Sequence, residues 1–186
     1  YYAPDSYVPN YFQTGKYIFF RDIDTGKYWT LAPLYDIDEN KYQSYFCKHG
    51  LGYSEIHSQI NGIESSFRVF VPIENDDPIE IWTIKVTNKS PKKRNLNMYP
   101  YLQWKLDGYS SSATFTDKLG YIQTHYLESQ NTIKISMSDT ESFMQYSAFM
   151  TTDYTPDGFD TGLESFLGVA GNLHDPECVR NGSCTN

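Results

Sequence analysis

Four histidines, three cysteines and 23 carboxylates are the side chains through which this 186-residue chain could hold a metal, carry a nucleophile or move a proton. His49 lies in Cys47-Lys48-His49-Gly50-Leu51-Gly52, His57 and His125 fall in strand-like runs, and His174 sits in a late loop. No His-x-His or His-Glu-x-x-His occurs, so a metal centre would need ligands from distant segments, and none is expected. Cys47, Cys178 and Cys184 match no zinc spacing. A Cys178–Cys184 disulfide closing a short loop and a pair of free thiols both stay open, the odd count favouring free thiols in a cytosolic protein. Gly-x-Ser-x-Gly, the glycine-rich phosphate loop and the dinucleotide fingerprint are all missing. Among the carboxylates, Asp22 and Asp24 flank a turn, and Asp157, Asp160 and Glu164 gather late in the chain. Glycoside cleavage needs two opposed carboxyls, or one acid plus an external nucleophile such as phosphate. Asp22 and Asp24 have the character of turn formers, with Arg21 beside Asp22 as a local ion-pair partner. On its residues alone the chain is not expected to be catalytic.

The elements that must position these groups show alternation with period two rather than helical periodicity. Ile133, Ile135 and Met137 share one parity; so do Phe67, Val69 and Val71, then Trp82, Ile84 and Val86, and also Leu96, Met98, Leu102 and Trp104. Each set predicts a strand with one face on a core. Asn61-Gly62 predicts a tight hairpin turn between 53–60 and 63–71, since both residues tolerate positive φ. Asp24-Thr25-Gly26 predicts a second hairpin, and residues 88–94 a third, with Lys92-Lys93-Arg94 at a solvated tip. Residues 108–114 predict a loop, and 142–150 lean to strand. The count is nine or ten strands joined mostly by hairpins, an all-β antiparallel β-sandwich. Residues 151–186 are loop-rich, with Pro156, Gly158, Gly168, Gly171, Pro176 and Gly182 as punctuation. With no closing strand there, the single domain over 1–186 is expected to be incomplete at its C-terminus. It is then a fragment of a longer polypeptide, and an unpaired edge or bare apolar face would drive self-association.

The net charge of −8 is uneven, with 4 basic and 11 acidic side chains after residue 100. Such a surface repels phosphate backbones, so no nucleic-acid partner is expected. No run of about 18 apolar residues is present, so no membrane helix is expected either. Aromatic residues, 17% of the chain, suit half-buried strands. A free-standing module that stacks exposed Tyr and Trp on a glycan, or a structural dimerisation module, is the alternative to a part of an enzyme.

Longer motifs narrow this. Tyr17-Ile18-Phe19-Phe20-Arg21-Asp22-Ile23-Asp24-Thr25-Gly26-Lys27-Tyr28-Trp29 resembles the first hairpin of the disaccharide phosphorylases of glycoside hydrolase family 94. Cys47-Lys48-His49-Gly50-Leu51-Gly52-Tyr53 resembles that family's Cys-x-His-Gly-Leu-Gly-Tyr, and Glu80-Ile81-Trp82-Thr83, Arg94 and Leu96 follow in the same order. Gly158-Phe159-Asp160-Thr161 and Glu164-Ser165-Phe166-Leu167-Gly168 look like its Phe-Asp-Thr-Asp-Arg-Glu-x-Phe-Leu-Gly, and Pro176, Val179, Gly182 and Cys184 continue the pattern.

The resemblance implies an N-terminal super-sandwich, galactose-mutarotase-like, preceding a catalytic (α/α)6 barrel that carries the general acid. Inorganic phosphate would be the co-substrate, with no other cofactor, and a β-linked glucosyl or N-acetylglucosaminyl oligosaccharide would yield a sugar 1-phosphate with inversion. The sandwich would be non-catalytic alone and would pack on the barrel, in cis or as a separate chain. Its residues 157–168 would serve the acceptor side, with Asp160, Leu163 and Glu164 as substrate-binding candidates. The family's Asp-Arg is Gly162-Leu163 here, and a Leu cannot donate to a hydroxyl, so acceptor selection is expected to differ. A homo-oligomer is expected from the unpaired edge, and the resemblance implies use of intracellular phosphate; with the opening Tyr1-Tyr2-Ala3-Pro4 lacking a basic-then-apolar leader, the expected compartment is the cytoplasm.

Overall fold

The computed structural model describes residues 15–34, 41–73, 77–104, 122–138, 145–169 and 171–185. Ten strands lie within them: β1 (Lys16–Asp22), β2 (Tyr28–Thr30), β3 (Ser44–Gly50), β4 (Tyr53–Ile60), β5 (Ile63–Phe70), β6 (Ile81–Asn88), β7 (Leu96–Leu102), β8 (Ile122–Leu127), β9 (Thr132–Ser138) and β10 (Gln145–Thr151). Two five-residue helices follow, α1 (Leu163–Leu167) and α2 (Glu177–Asn181). All strand pairs are antiparallel, in sheets ordered β3-β4-β5-β6, β2-β1-β7 and β10-β9-β8. The predicted loop at 108–114 lies outside the described residues, whereas the lean to strand near 142–150 is met by β10.

Local chemistry sets the hairpins. Asn61 and Gly62 have φ of 54° and 76°, which closes β4 on β5 with Ile60 opposite Ile63. At the β1–β2 turn the Asp22 carboxylate accepts the Thr25 N–H at 2.9 Å while Gly26 takes φ 70°. Residues 88–94 form no hairpin, contrary to the sequence expectation. β6 pairs with β5, β7 pairs with β1, and the connection crosses from one sheet to the other. Arg94 is accordingly no solvated tip. Its Nε donates to Asp22 Oδ2 at 2.5 Å, Nη2 reaches the same oxygen, and Nη1 donates to the Asn61 carbonyl at 2.9 Å. Asp22 is fully buried, and its partner is Arg94 rather than the adjacent Arg21. Burial alone would raise the Asp22 pKa, but the Thr25 N–H and the Arg94 guanidinium outweigh it and hold the carboxyl below its ordinary value.

The β2-β1-β7 sheet is covered on both faces. Ile18, Phe20, Trp29 and Leu31 pack with Ile60, Ile63 and Phe67 of the four-stranded sheet. Phe19, Tyr99 and Tyr101 pack on the other side with Phe166, Leu167, Leu173, Cys178 and Val179 of the C-terminal segment. This arrangement splits the parity expected for β7: Leu96 packs on the core shared with the four-stranded sheet, Met98 is 44% exposed, and Tyr99 and Tyr101 of the other parity fill the second core. The last stretch of chain, punctuated as it is, supplies the third layer over that sheet.

This layering predicts alkaline sensitivity. Burial raises the pKa of Tyr17, Tyr28, Tyr42 and Tyr99, and pushes Tyr101 up to about 12. A raised phenol pKa favours the neutral form in the fold. The associated stability is therefore complete below about pH 10, the unfolded value, and is lost as pH climbs towards the folded one. Urea midpoints taken at rising pH should fall above about pH 10, with a slope of about 1.4 kcal/mol per unit for each phenol still held neutral. Midpoints that stay level across that range would exclude buried neutral tyrosines as part of the core.

Candidate functional site

The C-terminal layer is where chemistry-bearing side chains converge. α2 ends at Gly182, whose φ of 83° suits glycine and whose N–H is accepted by the Cys178 carbonyl at 2.9 Å. The reversal brings Cys184 back over α2, with its Sγ 3.2 Å from that of Cys178. The next residue, Thr185, donates its N–H to Asp160 Oδ1 at 3.1 Å and its hydroxyl to the same oxygen. Asp160, Cys178 and Cys184 thus stand together, their ligand atoms all within 4.8 Å. The other carboxylate oxygen, Oδ2, is buried and makes no hydrogen bond of ordinary length and angle among the described residues, while the Asp160 carboxylate acts on both thiols. A carboxylate and two sulfurs offer three donors, which would need a fourth from water or substrate to complete a tetrahedral metal site.

The two thiols are electrostatically unequal. The Cys178 pKa is raised by its hydrogen bond to Cys184, then by burial and by the nearby negative charges. That same hydrogen bond lowers the Cys184 pKa, against burial and the Asp160 carboxylate. Cys178 is buried and Cys184 half-buried, and the two sulfurs share one hydrogen bond.

Strand residues fasten this segment from below. Arg21 of β1 donates through Nη1 to the carbonyls of Val179, at 3.2 Å, and Arg180, capping the end of α2 where its dipole is negative. Tyr28 of β2 donates its hydroxyl to Asp175, which also accepts from Arg180 at 2.6 Å. The Tyr28 hydrogen bond, ahead of the Arg180 pair and against burial, holds the Asp175 carboxyl below its ordinary value. Asn97 of β7 donates to the Gly182 carbonyl at 3.4 Å.

The sequence-selected residues occupy different positions on this layer. Asp160 is half-buried and engaged with Thr185. Leu163 opens α1 half-buried, packed against the core cluster that holds Phe19 and Phe166. Glu164 is exposed in the first turn of α1, and Asp157 is exposed before it. His49 sits on β3 with Nδ1 2.9 Å from Ser54 Oγ and Nε2 3.4 Å from Cys47 Sγ. The anchoring role of Arg21, Tyr28, Asn97 and Asp175 escaped the sequence reading. Arg21 and Val179 are 158 positions apart, and no local pattern connects them.

Comparison with known proteins matches residues 9–186 to a family model described as "Glycosyl hydrolase 94, supersandwich domain". The chain is 33% identical over 172 residues to the solabiose phosphorylase of Paenibacillus borealis, covering 92% of this chain and 22% of that protein. It is 27% identical over 187 residues to the N,N'-diacetylchitobiose phosphorylase of Vibrio proteolyticus, covering 92% of this chain and 21% of the relative. It is 28% identical over 170 residues to the 3-O-beta-D-glucopyranosyl-beta-D-glucuronide phosphorylase of Paenibacillus borealis, covering 91% of this chain and 22% of the relative. The chain therefore spans about a fifth of the length of these relatives.

Proposed function

The chain belongs to the glycosyl hydrolase 94 supersandwich family, and on that premise we propose that it serves as the non-catalytic sandwich of an inverting glycoside phosphorylase. Its substrate would be a β-linked di- or oligosaccharide of glucosyl or N-acetylglucosaminyl units. Inorganic phosphate would act as nucleophile and a sugar 1-phosphate would leave. A catalytic (α/α)6 barrel would supply the general acid. The assembly would work in the cytoplasm as a homo-oligomer.

The observation that carries this reading is the match along almost the whole chain to a fifth of several phosphorylases. The side chains support the division of labour. Asp22 and Asp175 are tied up by Arg94, Tyr28 and Arg180, and Asp160 is held through Oδ1 by Thr185. A general acid or base needs a proton within reach of the substrate, not one committed to a fold contact. Glu164 remains exposed on the 157–168 segment and is the residue assigned to the acceptor sugar. Leu163, packed on the core cluster, positions it, and Asp160 anchors the segment to Thr185.

The test has two arms. Residues 1–186 alone, given phosphate and a panel of β-linked disaccharides, should release no sugar 1-phosphate, since loss of a placed general acid alone removes about 10²–10⁴ in rate. In the full-length protein, Glu164→Gln should raise the acceptor KM of the synthetic reaction about tenfold or more, the loss of one charge-assisted hydrogen bond, with kcat changed far less. Turnover by the isolated chain would overturn the non-catalytic role. An unchanged acceptor KM would remove Glu164 from the site.

A further inference from the structure

We propose that Cys178 and Cys184 form a reversible dithiol–disulfide site that reacts with low-molecular-weight disulfides such as oxidised glutathione. The sulfurs already touch at 3.2 Å, against about 2.05 Å in a disulfide. Cys184 lies in irregular chain beyond Gly182, outside α2. The positive φ at Gly182 has already folded the intervening residues back on themselves, so ring closure orders little new chain.

The asymmetry of the pair assigns the steps. Cys184 is half-buried where Cys178 is enclosed, so it is the sulfur a reagent in solution can reach and the attacking one. Its thiolate attacks one sulfur of the reagent disulfide, forming a mixed disulfide and expelling one thiolate. Cys178 then loses its proton, attacks the Cys184 sulfur and expels the second thiolate. The protein gives up two electrons and two protons, and the reagent disulfide becomes two thiols. Cys178 is 2% exposed, so it reacts with its neighbour and not with reagent in solution.

The geometry favours this chemistry over a metal at the same cluster. Zinc with Zn–S arms of about 2.3 Å holds two sulfurs about 3.8 Å apart in a tetrahedral site. The observed spacing is shorter, and Asp160 brings only one further donor. Formation of the bond fastens the chain beyond α2 back onto α2. Through Thr185 it also fixes Asp160 and the 157–168 segment that carries it. The inference stands on the cysteines' own geometry and does not require the acceptor role proposed for that segment.

The protein carrying Cys47→Ser, which removes the exposed third thiol, is equilibrated with reduced and oxidised glutathione and read by intact mass. The expected product has lost two hydrogens, carries no glutathione, and melts about 4–8 °C above the reduced form, as a short closed loop implies. Adding Cys178→Ser should trap glutathione on Cys184, since the resolving thiol is gone. Adding Cys184→Ser should leave Cys178 unmodified while the protein is folded. Stable glutathionylation in the Cys47→Ser parent, two thiols that stay reduced, or thiols shielded by zinc that survives dialysis would each overturn the proposal. The parent protein decides even where a serine variant folds poorly.

Discussion

Arg94→Met should destabilise the protein by about 3–5 kcal/mol, because it strips the counter-charge from a carboxylate that water cannot reach. Asp22 is fully buried, and Arg94 meets it through both Nε and Nη2 while Nη1 holds the Asn61 carbonyl of the neighbouring turn. One guanidinium therefore ties the β1–β2 turn to the β4–β5 turn across two sheets. Arg94→Lys keeps the charge but loses the planar fork, and should fall between the parent and Arg94→Met. The pH dependence supplies a second readout. The Asp22 pKa is depressed in the fold, so its stabilisation is present above the unfolded value of about 3.9 and is lost as pH falls through the folded value. In Arg94→Met the buried carboxylate takes up a proton more readily, and the deficit relative to the parent should shrink towards acid. Urea melts at neutral pH and near pH 4 measure both effects. A neutral-pH loss below about 1 kcal/mol, the range of exposed ion pairs, would show that the contact is a surface pair.

Arg94 also marks where the sequence stops being legible. Asn61-Gly62 and Asp24-Thr25-Gly26 announce their hairpins because the conformational demand is met by the turn residues themselves. Residues 88–94 also carry turn formers, Asn88, Ser90 and Pro91, yet they join two sheets. Whether a turn closes a hairpin depends on which partner the next strand finds, and β7 finds β1, about 80 positions upstream. The β7 parity identifies only one of two covered faces, for a related reason. Alternation identifies the buried face only when the other face meets water. The β2-β1-β7 sheet has the four-stranded sheet on one side and the C-terminal segment on the other, so Ile18, Phe19 and Phe20 are consecutive and all buried. Among the site residues, the motif around Asp160 and Glu164 was readable as a family pattern. The contact between Asp160 and Thr185 was not, because it depends on the reversal at Gly182.

If the C-terminal segment is a structural layer, Phe166→Ala should cost about 3–5 kcal/mol. Phe166 is 7% exposed, and its ring centroid lies 5.0 Å from that of Tyr101 and 5.8 Å from that of Phe19. Truncation removes both ring contacts and leaves a cavity between α1 and the sheet. The rigid strands below cannot follow the missing ring, since β1 is held by β2, by β7 and by the packing on its opposite face. Part of the loss should appear as local release. Hydrogen exchange should quicken for the amides of Phe166, Gly168, Arg180 and Gly182, whose bonds are internal to the segment, more than for β4 and β5. Phe67→Ala is the matched control, because Phe67 is equally enclosed, at 5% exposure, but faces the four-stranded sheet's side of the core. It should cost a similar amount while loosening β5 first. Should Phe166→Ala change stability by less than about 1 kcal/mol with the α1 and α2 amides already unprotected in the parent, the segment would be a loop laid over a finished sandwich. The anchoring of Asp160, Cys178 and Cys184 would then have to be sought in whatever else packs on that face.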